Sequence, residues 1–482
     1  MAKSDRLGHL PPLARQLADQ LETAIRDAEL APPAGARDLQ VLTGVTTMGT
    51  FTRPLETVIR DFVALLMDRS RHNNDYIYGD DLVVESHPDE SKYPRLIVLR
   101  SDHVVTPEAA GCLANLMICR VKVKDNTIEF STPSKALGVL LNAEPVEKAL
   151  PRIQMYARRP VFTGDFHLQG PGYDPTSGIL VHGPAITPIL TAPVAAEQPI
   201  DRLPPRLREL LGGFCFRESC DLVNTVGLMV TGLLANHFIE NPKAIAVIDG
   251  NQPGIGKTLL MSLVGMILDG VVPQLLKYTP HDDELQKQIC ATLRPGRQSV
   301  LLFDNAKHFC GSAISSPVIE ANSMAPEISM RILGYSQNFV RPNDVLWALT
   351  MNQTRLSPDL VSRSLPIRLA YLGEAGKRRF DGPDPLQFAR ERRLEILGEL
   401  AGMVIRWNQL GRPMGPHTHR CHRWAQLIGG ILTANGFPEF LANYDTAANE
   451  FDANREELAT VAELVLADPK GPFIVIAPEV TP

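Results

Sequence analysis

The sequence predicts an α/β domain built on a parallel sheet, with a small α+β module before it and a helical region after it. Three observations carry this. An apolar run, a glycine-rich turn and a second apolar run follow one another in "AIAVIDGNQPGIGKTLLMSLVGMIL" (244–268). Strand-like and helix-like segments then alternate to about Leu369, the pattern of crossover-connected parallel strands. From Pro385 onward "PLQFARERRLEILGELAGMVIRWNQLG" carries apolar residues at helical spacing and ends on a glycine stop.

The chain has 482 residues, enough for roughly three domains. Its 44% hydrophobic and 21% charged residues are those of an ordinary globular protein with an ample core. Seven scattered cysteines, an odd number, point to a reducing compartment, hence the cytoplasm, and away from a disulfide framework. The opening "MAKSDRLGHL" lacks the apolar run of a secretory signal. The longest apolar stretch, Leu222 to Ile239, contains Asn224, Thr225, Asn236 and His237, which favours a buried helix over a membrane span. With a net charge of −6 no global basic field exists, so any nucleic-acid binding must use a local surface or a central channel.

Taken in order, residues 1–44 read as a polar lead-in with one helix ("LARQLADQLETAIRDAEL"). A helix "RPLETVIRDFVALLMDR", a hairpin at Gly79-Asp80-Asp81, the strand "RLIVLR", a helix "TPEAAGCLANLMI", a hairpin "RVKVKDNTIEF" turning at Asp125-Asn126 and a helix "SKALGVLLN" follow. Together 1–150 reads as an accessory or docking module of winged-helix-like composition. Residues 151–202 are rich in Pro and Gly and read as a connector wrapped on a neighbouring surface. The nucleotide domain is placed at 203–370 and a helical domain at 371–482. No internal repeat is present.

A strand, a glycine-rich turn and a helix make an anion site: successive backbone N–H groups point inward, and the helix N-terminus carries partial positive charge. The turn is Asn251, Gln252, Pro253, Gly254, Ile255 and Gly256, and Lys257, Thr258 and Leu259 open the helix. Lys257 is placed to reach β- and γ-phosphates of ATP, and the Thr258 hydroxyl to ligate Mg²⁺. Asn251 stands where the usual pattern has its first glycine. Asparagine tolerates φ > 0 better than most residues, and Gly250 adds slack beside it.

"QSVLLFDNAKH" supplies a second apolar strand, ending in Asp304, placed to hold magnesium through a water. Where many such ATPases have a glutamate that polarises the attacking water, this chain has Asn305, an amide that orients a water without taking its proton. Positioning and charge stabilisation dominate phosphoryl transfer, so slow hydrolysis survives such a change. Glu320, on the next helix, is a weak candidate for the base. Third comes "VLWALTMNQTRLSPDLVSRSLPIRL", whose strand ends near Asn352 and leads through Asp359 to Arg363.

This set resembles the AAA+ class of P-loop NTPases, with Asn352 as its sensor asparagine and Arg363 as its arginine finger. The resemblance implies a ring, six subunits being the usual number, with Arg363 contacting ATP bound by the neighbouring subunit. "EISMRILGYSQNFVRPND" precedes the sensor strand and reads as a hairpin turning near Gly334-Tyr335. A hairpin there is typical of superfamily 3 helicases, where it touches DNA in the channel. Tyr335 would stack on a base and Arg331 or Arg341 would meet phosphate, with a purely structural hairpin the equal alternative. "LPRIQMYARRPVFTGDFHLQGPGYDPTSGIL" and "HRWAQLIGGILTANGFPEFLANY" resemble the connector and the C-terminal helical segment of helicase-like proteins of prophages and plasmids, often fused to primases. Trp424, Gly429, Gly430, Gly436, Phe437, Phe440, Leu441 and Asn443 fall on that pattern. The resemblance spans roughly 150–460. Residues 1–150 show neither a primase zinc ribbon nor an acidic polymerase cluster, so primer synthesis is not expected.

Other signals are weaker. "HTHRCHRW" gathers His417, His419, Cys421 and His422 in one cluster with no second pair, and Cys215 and Cys220 lie five positions apart on a helix-like stretch; zinc sites usually need two separated pairs. Arg390 to Arg393 and Lys377 to Arg379 read as solvated faces or subunit contacts, and Lys122 and Lys124 as one exposed hairpin face. The expected function is therefore a Mg·ATP-dependent ring ATPase of a mobile genetic element, a DNA helicase or translocase in replication acting on single-stranded or forked DNA. The rival is an ATP-binding switch or scaffold, a replication accessory or phage-defence ATPase, that assembles on a partner protein without unwinding.

Overall fold

The computed structural model describes residues 40–451, apart from 74, 79–80, 87–94, 102, 115–116, 239, 294–297, 307–312, 333–337, 354 and 379–381. The lead-in helix expected before residue 40 lies outside the described residues. By packing, the chain divides into two units: residues up to 73 with 103–149, and 74–102 with 150 onward.

In the smaller unit the helix Leu55–Asn73 buries Val58, Phe62 and Leu66, spaced four apart so that they share one face. The strand Gln40–Thr43 runs parallel to Met117–Val123, which pairs antiparallel with Asn126–Ser131. Val123 faces Asn126, so the turn is Lys124-Asp125 rather than the expected Asp125-Asn126, and Lys124 takes φ 55°. Lys124 therefore sits in the turn and does not share a strand face with Lys122.

The boundary expected at 150 falls differently. Strands Asp75–Tyr78, Asp81–Ser86 and Arg95–Ser101 belong to the larger unit because Asp75–Tyr78 pairs parallel with Arg152–Ile153. Val83 and Leu96 then share a core with Ile153, Tyr156 and Leu180 of the connector. The connector carries short strands of its own, and its Arg159 is fully buried, donating to Ser299 Oγ at 2.8 Å beside the Asp269 carboxylate. An extended strap follows. Ile189 N–H donates to Gly398 O at 2.8 Å, and at Gly402 an added Cβ would lie 1.9 Å from the Ile189 carbonyl oxygen. Glycine is required there because backbone occupies the side-chain space.

The part built on the parallel sheet opens with α1 (Ser219–Leu233), buried on nearly every side as its apolar sequence demands. Next come β1 (Ile245–Gly250), α2 (Lys257–Asp269), β2 (Leu275–Lys277), α3 (Asp282–Leu293), β3 (Val300–Asp304) and α4 (Pro317–Met324). They are followed by β4 (Glu327–Arg331), β5 (Asn338–Pro342), β6 (Leu346–Thr350), α5 (Pro358–Ser362) and β7 (Ser364–Leu369). The five parallel strands lie in the order β2-β3-β6-β1-β7. Their near-continuous apolar sequences follow from burial on both faces. Ala246 and Ile248 join the core on the α2 side, whereas Ile245 and Val247 join the opposite core with Trp347 and Phe303. α4 and α5 start alike: Ser316 and Ser357 accept the Ile319 and Leu360 N–H groups, with proline at the first helical position.

The helix expected from Pro385 is two, α6 (Pro385–Glu391) and α7 (Arg393–Gln409), broken at Arg392. α8 (His422–Ala434) and α9 (Tyr444–Phe451) complete the described C-terminal part. Among the described residues no helix is long and apolar enough to cross a membrane.

Candidate nucleotide site at the sheet edge

β1 is an interior strand flanked by β6 and β7, so the turn after it emerges at the sheet's C-terminal edge between neighbouring strands, the place where open α/β sheets bind ligands. Gly254 (φ 78°) and Gly256 (φ 103°) adopt the left-handed conformations that turn the chain back into α2. Asn251 does not. Its reason for being asparagine is different from the one expected: the side chain clasps the backbone of Tyr371, Nδ2 donating to its carbonyl at 2.9 Å and Oδ1 accepting its N–H at 3.1 Å. Gln252 Nε2 donates to the Tyr371 and Gly373 carbonyls at 2.8 and 2.9 Å. Arg378 adds a third tie, donating to the carbonyls of Ile255 and Gly213 while its guanidinium lies 5.7 Å from the Tyr371 ring centre. The "KRR" stretch thus contains a residue that braces the loop, where the sequence suggested a solvated face or a subunit contact; Lys377 pairs with Glu374 and Arg379 lies outside the described residues.

Lys257 is 7% exposed, and its Nζ donates to Gln252 O at 3.0 Å and to Asn352 Oδ1 at 2.6 Å. Burial holds its ammonium below the usual lysine range, with Asp249 and Asp304 pulling the other way. Thr258 Oγ1 donates to Asp304 Oδ1 at 2.6 Å, and Thr350 Oγ1 donates to the same oxygen at 2.8 Å. The Asn305 N–H donates to Thr350 Oγ1 at 2.7 Å, fixing Asn305 at φ 50°. Asn352 Nδ2 lies 3.4 Å from Asn305 Oδ1. Lys257, Thr258, Asp304, Asn305 and Asn352 therefore converge from the ends of two strands, β3 and β6, and one helix, α2.

Other expected site residues do not join them. Arg363 is 7% exposed, donating to the Glu320 carbonyl and ion-paired with Asp359 of its own chain. That burial is at odds with a finger projecting to a neighbour. The Glu320 carboxylate accepts the Ser357 hydroxyl at 2.7 Å, so it is engaged away from the loop. The hairpin exists, β4 pairing antiparallel with β5, and Arg331 is exposed on it. Arg341 is 4% exposed, donates to Leu293 O at 3.1 Å and pairs with buried Asp344, which rules it out as a phosphate contact. Tyr335 and the turn lie outside the described residues.

The remaining signals resolve into packing. His419 Nδ1 accepts the Cys421 N–H at 2.9 Å, so its Nε2 is the donor to Ser364 O at 3.1 Å; burial pushes its pKa down to about 4. Among the described residues no group of three or more His, Cys, Asp or Glu is placed to hold a metal. Arg393 of the "RERR" run caps α2, donating to the carbonyls of Met266, Ile267 and Leu268 at 2.9 to 3.2 Å.

No protein-family model matches the chain, and no curated protein matches it. Among solved structures, the A-form apo C-terminal region of NrS-1 aligns over 77% of this chain and 73% of that one, at 10% identity and a TM-score of 0.39. Its 305–718 form aligns over 70% and 67% at 10% identity and a TM-score of 0.38. A JCV helicase with a bound acetamide compound aligns over 49% and 60% at 12% identity and a TM-score of 0.22. At such scores the likeness carries no functional weight; what the site can do follows from its own residues.

Proposed function

We propose that the chain is a Mg·ATP-dependent ATPase that works as a ring-forming DNA translocase or helicase, of the kind mobile genetic elements use in replication. The observation that carries the ATPase reading is the pair of contacts at the loop mouth, Lys257 to Asn352 at 2.6 Å and Thr258 to Asp304 at 2.6 Å. A buried ammonium held by a neutral amide and a hydroxyl held by a carboxylate form a donor set suited to a magnesium nucleotide. Magnesium supplies neutralisation of the phosphate charge. The loop amides from Gly254 to Thr258 and the Lys257 ammonium bind phosphate oxygens, while Thr258 and Asp304 hold the cation. Asn352 and Asn305 orient the attacking water. The exposed Arg331 on the β4–β5 pair supports the DNA reading, since a solvent-facing cation on a β-ribbon suits a phosphate backbone.

The test is steady-state ATP turnover of the full chain with and without single-stranded DNA, beside Lys257→Ala. DNA-stimulated turnover lost in Lys257→Ala is expected; turnover equal in the two proteins sinks the assignment. One observation favours a second reading, an ATP-binding switch that assembles on a partner protein: Asn305 is neutral where an acid would activate water. ATP binding without turnover, unchanged by DNA, identifies that case.

A further inference from the structure

Asn305 cannot accept a proton, yet a carboxylate stands at the same edge of the sheet. Asp249 is the penultimate residue of β1, and side chains alternate along a strand. Ile245 and Val247 lie in the core opposite α2, so Asp249 faces that side. On β3 the alternation runs the other way: Val300 and Leu302 face α2, and Asp304 follows them. The two acids therefore approach the loop mouth from opposite faces, and Asp304, tied to Thr258 and Thr350, is not available for a second task.

Asp249 Oδ1 accepts the Gln353 N–H at 2.7 Å. Gln353 follows Asn352, which holds Lys257, and the Asp249 carboxylate acts electrostatically on the Lys257 ammonium. Gln353 and Asn305 both stand at φ 50°, an unfavourable conformation for a residue with a side chain. Each is locked by its own N–H on a side-chain acceptor, Asp249 and Thr350 respectively. Two such backbones at the ends of adjacent strands hold Asn352 and Asn305 against each other, with Asp249 beside them. Among the described residues no ion pair within salt-bridge distance neutralises Asp249. Burial raises its carboxyl above the usual aspartate range, toward the strength a base needs near neutral pH.

We propose that Asp249 is the general base of ATP hydrolysis in this chain, replacing the acid missing at Asn305; this rests on the ATPase reading above. As the water oxygen bonds to the γ-phosphorus, the bond from that phosphorus to the bridging oxygen of the leaving ADP breaks. The water's proton passes to the Asp249 carboxylate and from there to solvent. Asn305 and Asn352 fix the water by hydrogen bonds without titrating.

Asp249→Asn separates this from a purely structural role, because the amide oxygen can still accept the Gln353 N–H while the base is gone. The full chain is assayed for Mg·ATP turnover, for affinity toward a fluorescent ATP analogue, and for melting temperature. Expected are analogue affinity within threefold of wild type, an unchanged melt, and a fall in kcat of about a hundredfold or more with KM little altered, the size general-base removal produces. Turnover within threefold of wild type overturns the assignment. Asp249→Ser is the second variant and serves if Asp249→Asn fails to fold. Added formate, a small carboxylate that fits the vacated space, is expected to raise its turnover tenfold or more; turnover that formate leaves unchanged in a variant that still binds the analogue overturns the proposal. Wild-type chain that does not bind the analogue through Lys257 removes the ATPase reading itself; binding that persists with turnover indifferent to Asp249 removes only this inference.

Discussion

The Lys257 ammonium and the Asn352 side-chain oxygen meet at 2.6 Å across the mouth of the loop. With Gln252 O they give a buried cation two neutral oxygens in place of water. On the proposed ATPase reading, phosphate oxygens binding there would displace at least one of them, and Asn352 would then steady the free site and respond to its occupancy.

Asn352→Ala leaves Lys257 with one acceptor. A hydrogen bond to a charged group contributes about 1.5–3 kcal/mol, so the nucleotide-free chain is expected to lose about 2 kcal/mol, read as a lower urea midpoint. Saturating Mg·ATP should recover most of that loss, because phosphate replaces the missing acceptor. A deficit that ATP leaves untouched places Asn352 outside the site.

Asn251→Gly restores the glycine of the usual loop pattern, and the expected result is nonetheless weaker binding. The substitution removes both bonds to Tyr371 and loosens the backbone that they order. Net contributions near 1 kcal/mol per hydrogen bond, discounted for exposure, give a loss in affinity of about fivefold in nucleotide titration. Tighter binding in the glycine variant would mean that the clasp strains the loop.

Arg363→Ala distinguishes a structural arginine from a finger. Removing one partner of a buried pair costs about 3–5 kcal/mol, less here because Asp359 is part-exposed, so about 2 kcal/mol is expected. The melting temperature should fall by several degrees and turnover with it. Full thermal stability with turnover lost would restore the role in a neighbouring site that the sequence suggested.

The loop was legible in the sequence because its requirements are local. Positive φ at Gly254 and Gly256, a lysine and a hydroxyl at the helix start, and an acid ending an apolar strand all lie within short windows. The parallel sheet was legible for the same reason. What stayed hidden depends on distant partners. Arg341 looks like any exposed hairpin cation until Leu293 O, 48 positions away, receives it, and Arg363 is fixed by a carbonyl 43 positions away. Asn251 reads as a tolerated substitution until Tyr371, 120 positions on, closes the clasp. That the strands at 75–101 belong with the larger unit is invisible in the sequence because their pairing with Arg152–Ile153 leaves no mark in either segment alone.

Acid should destabilise the chain through His237. Its ring stacks on Phe166 at 4.2 Å, Nε2 has no hydrogen-bond partner among the described residues, and burial pushes its pKa down to about 4, while an unfolded histidine titrates near 6.5. A depressed folded pKa means that the unfolded chain binds the extra proton, so this contribution is present above about pH 6.5 and is lost as pH falls toward 4. Between pH 7 and 5 the loss amounts to about 2 kcal/mol. Asp221 acts in the opposite sense. Burial raises its pKa to about 6, so its ionised form costs stability as pH rises through that value, and in the same interval it offsets part of the histidine effect. His237→Phe preserves the stack and removes the titrating group. The unfolding free energy from urea titration at pH 7 minus that at pH 5 should therefore be lower in the variant than in the wild type by about 2 kcal/mol, whatever Asp221 contributes to both. Equal differences in the two proteins would show that His237 is protonated in the folded chain without penalty, and that the Phe166 face holds an imidazolium.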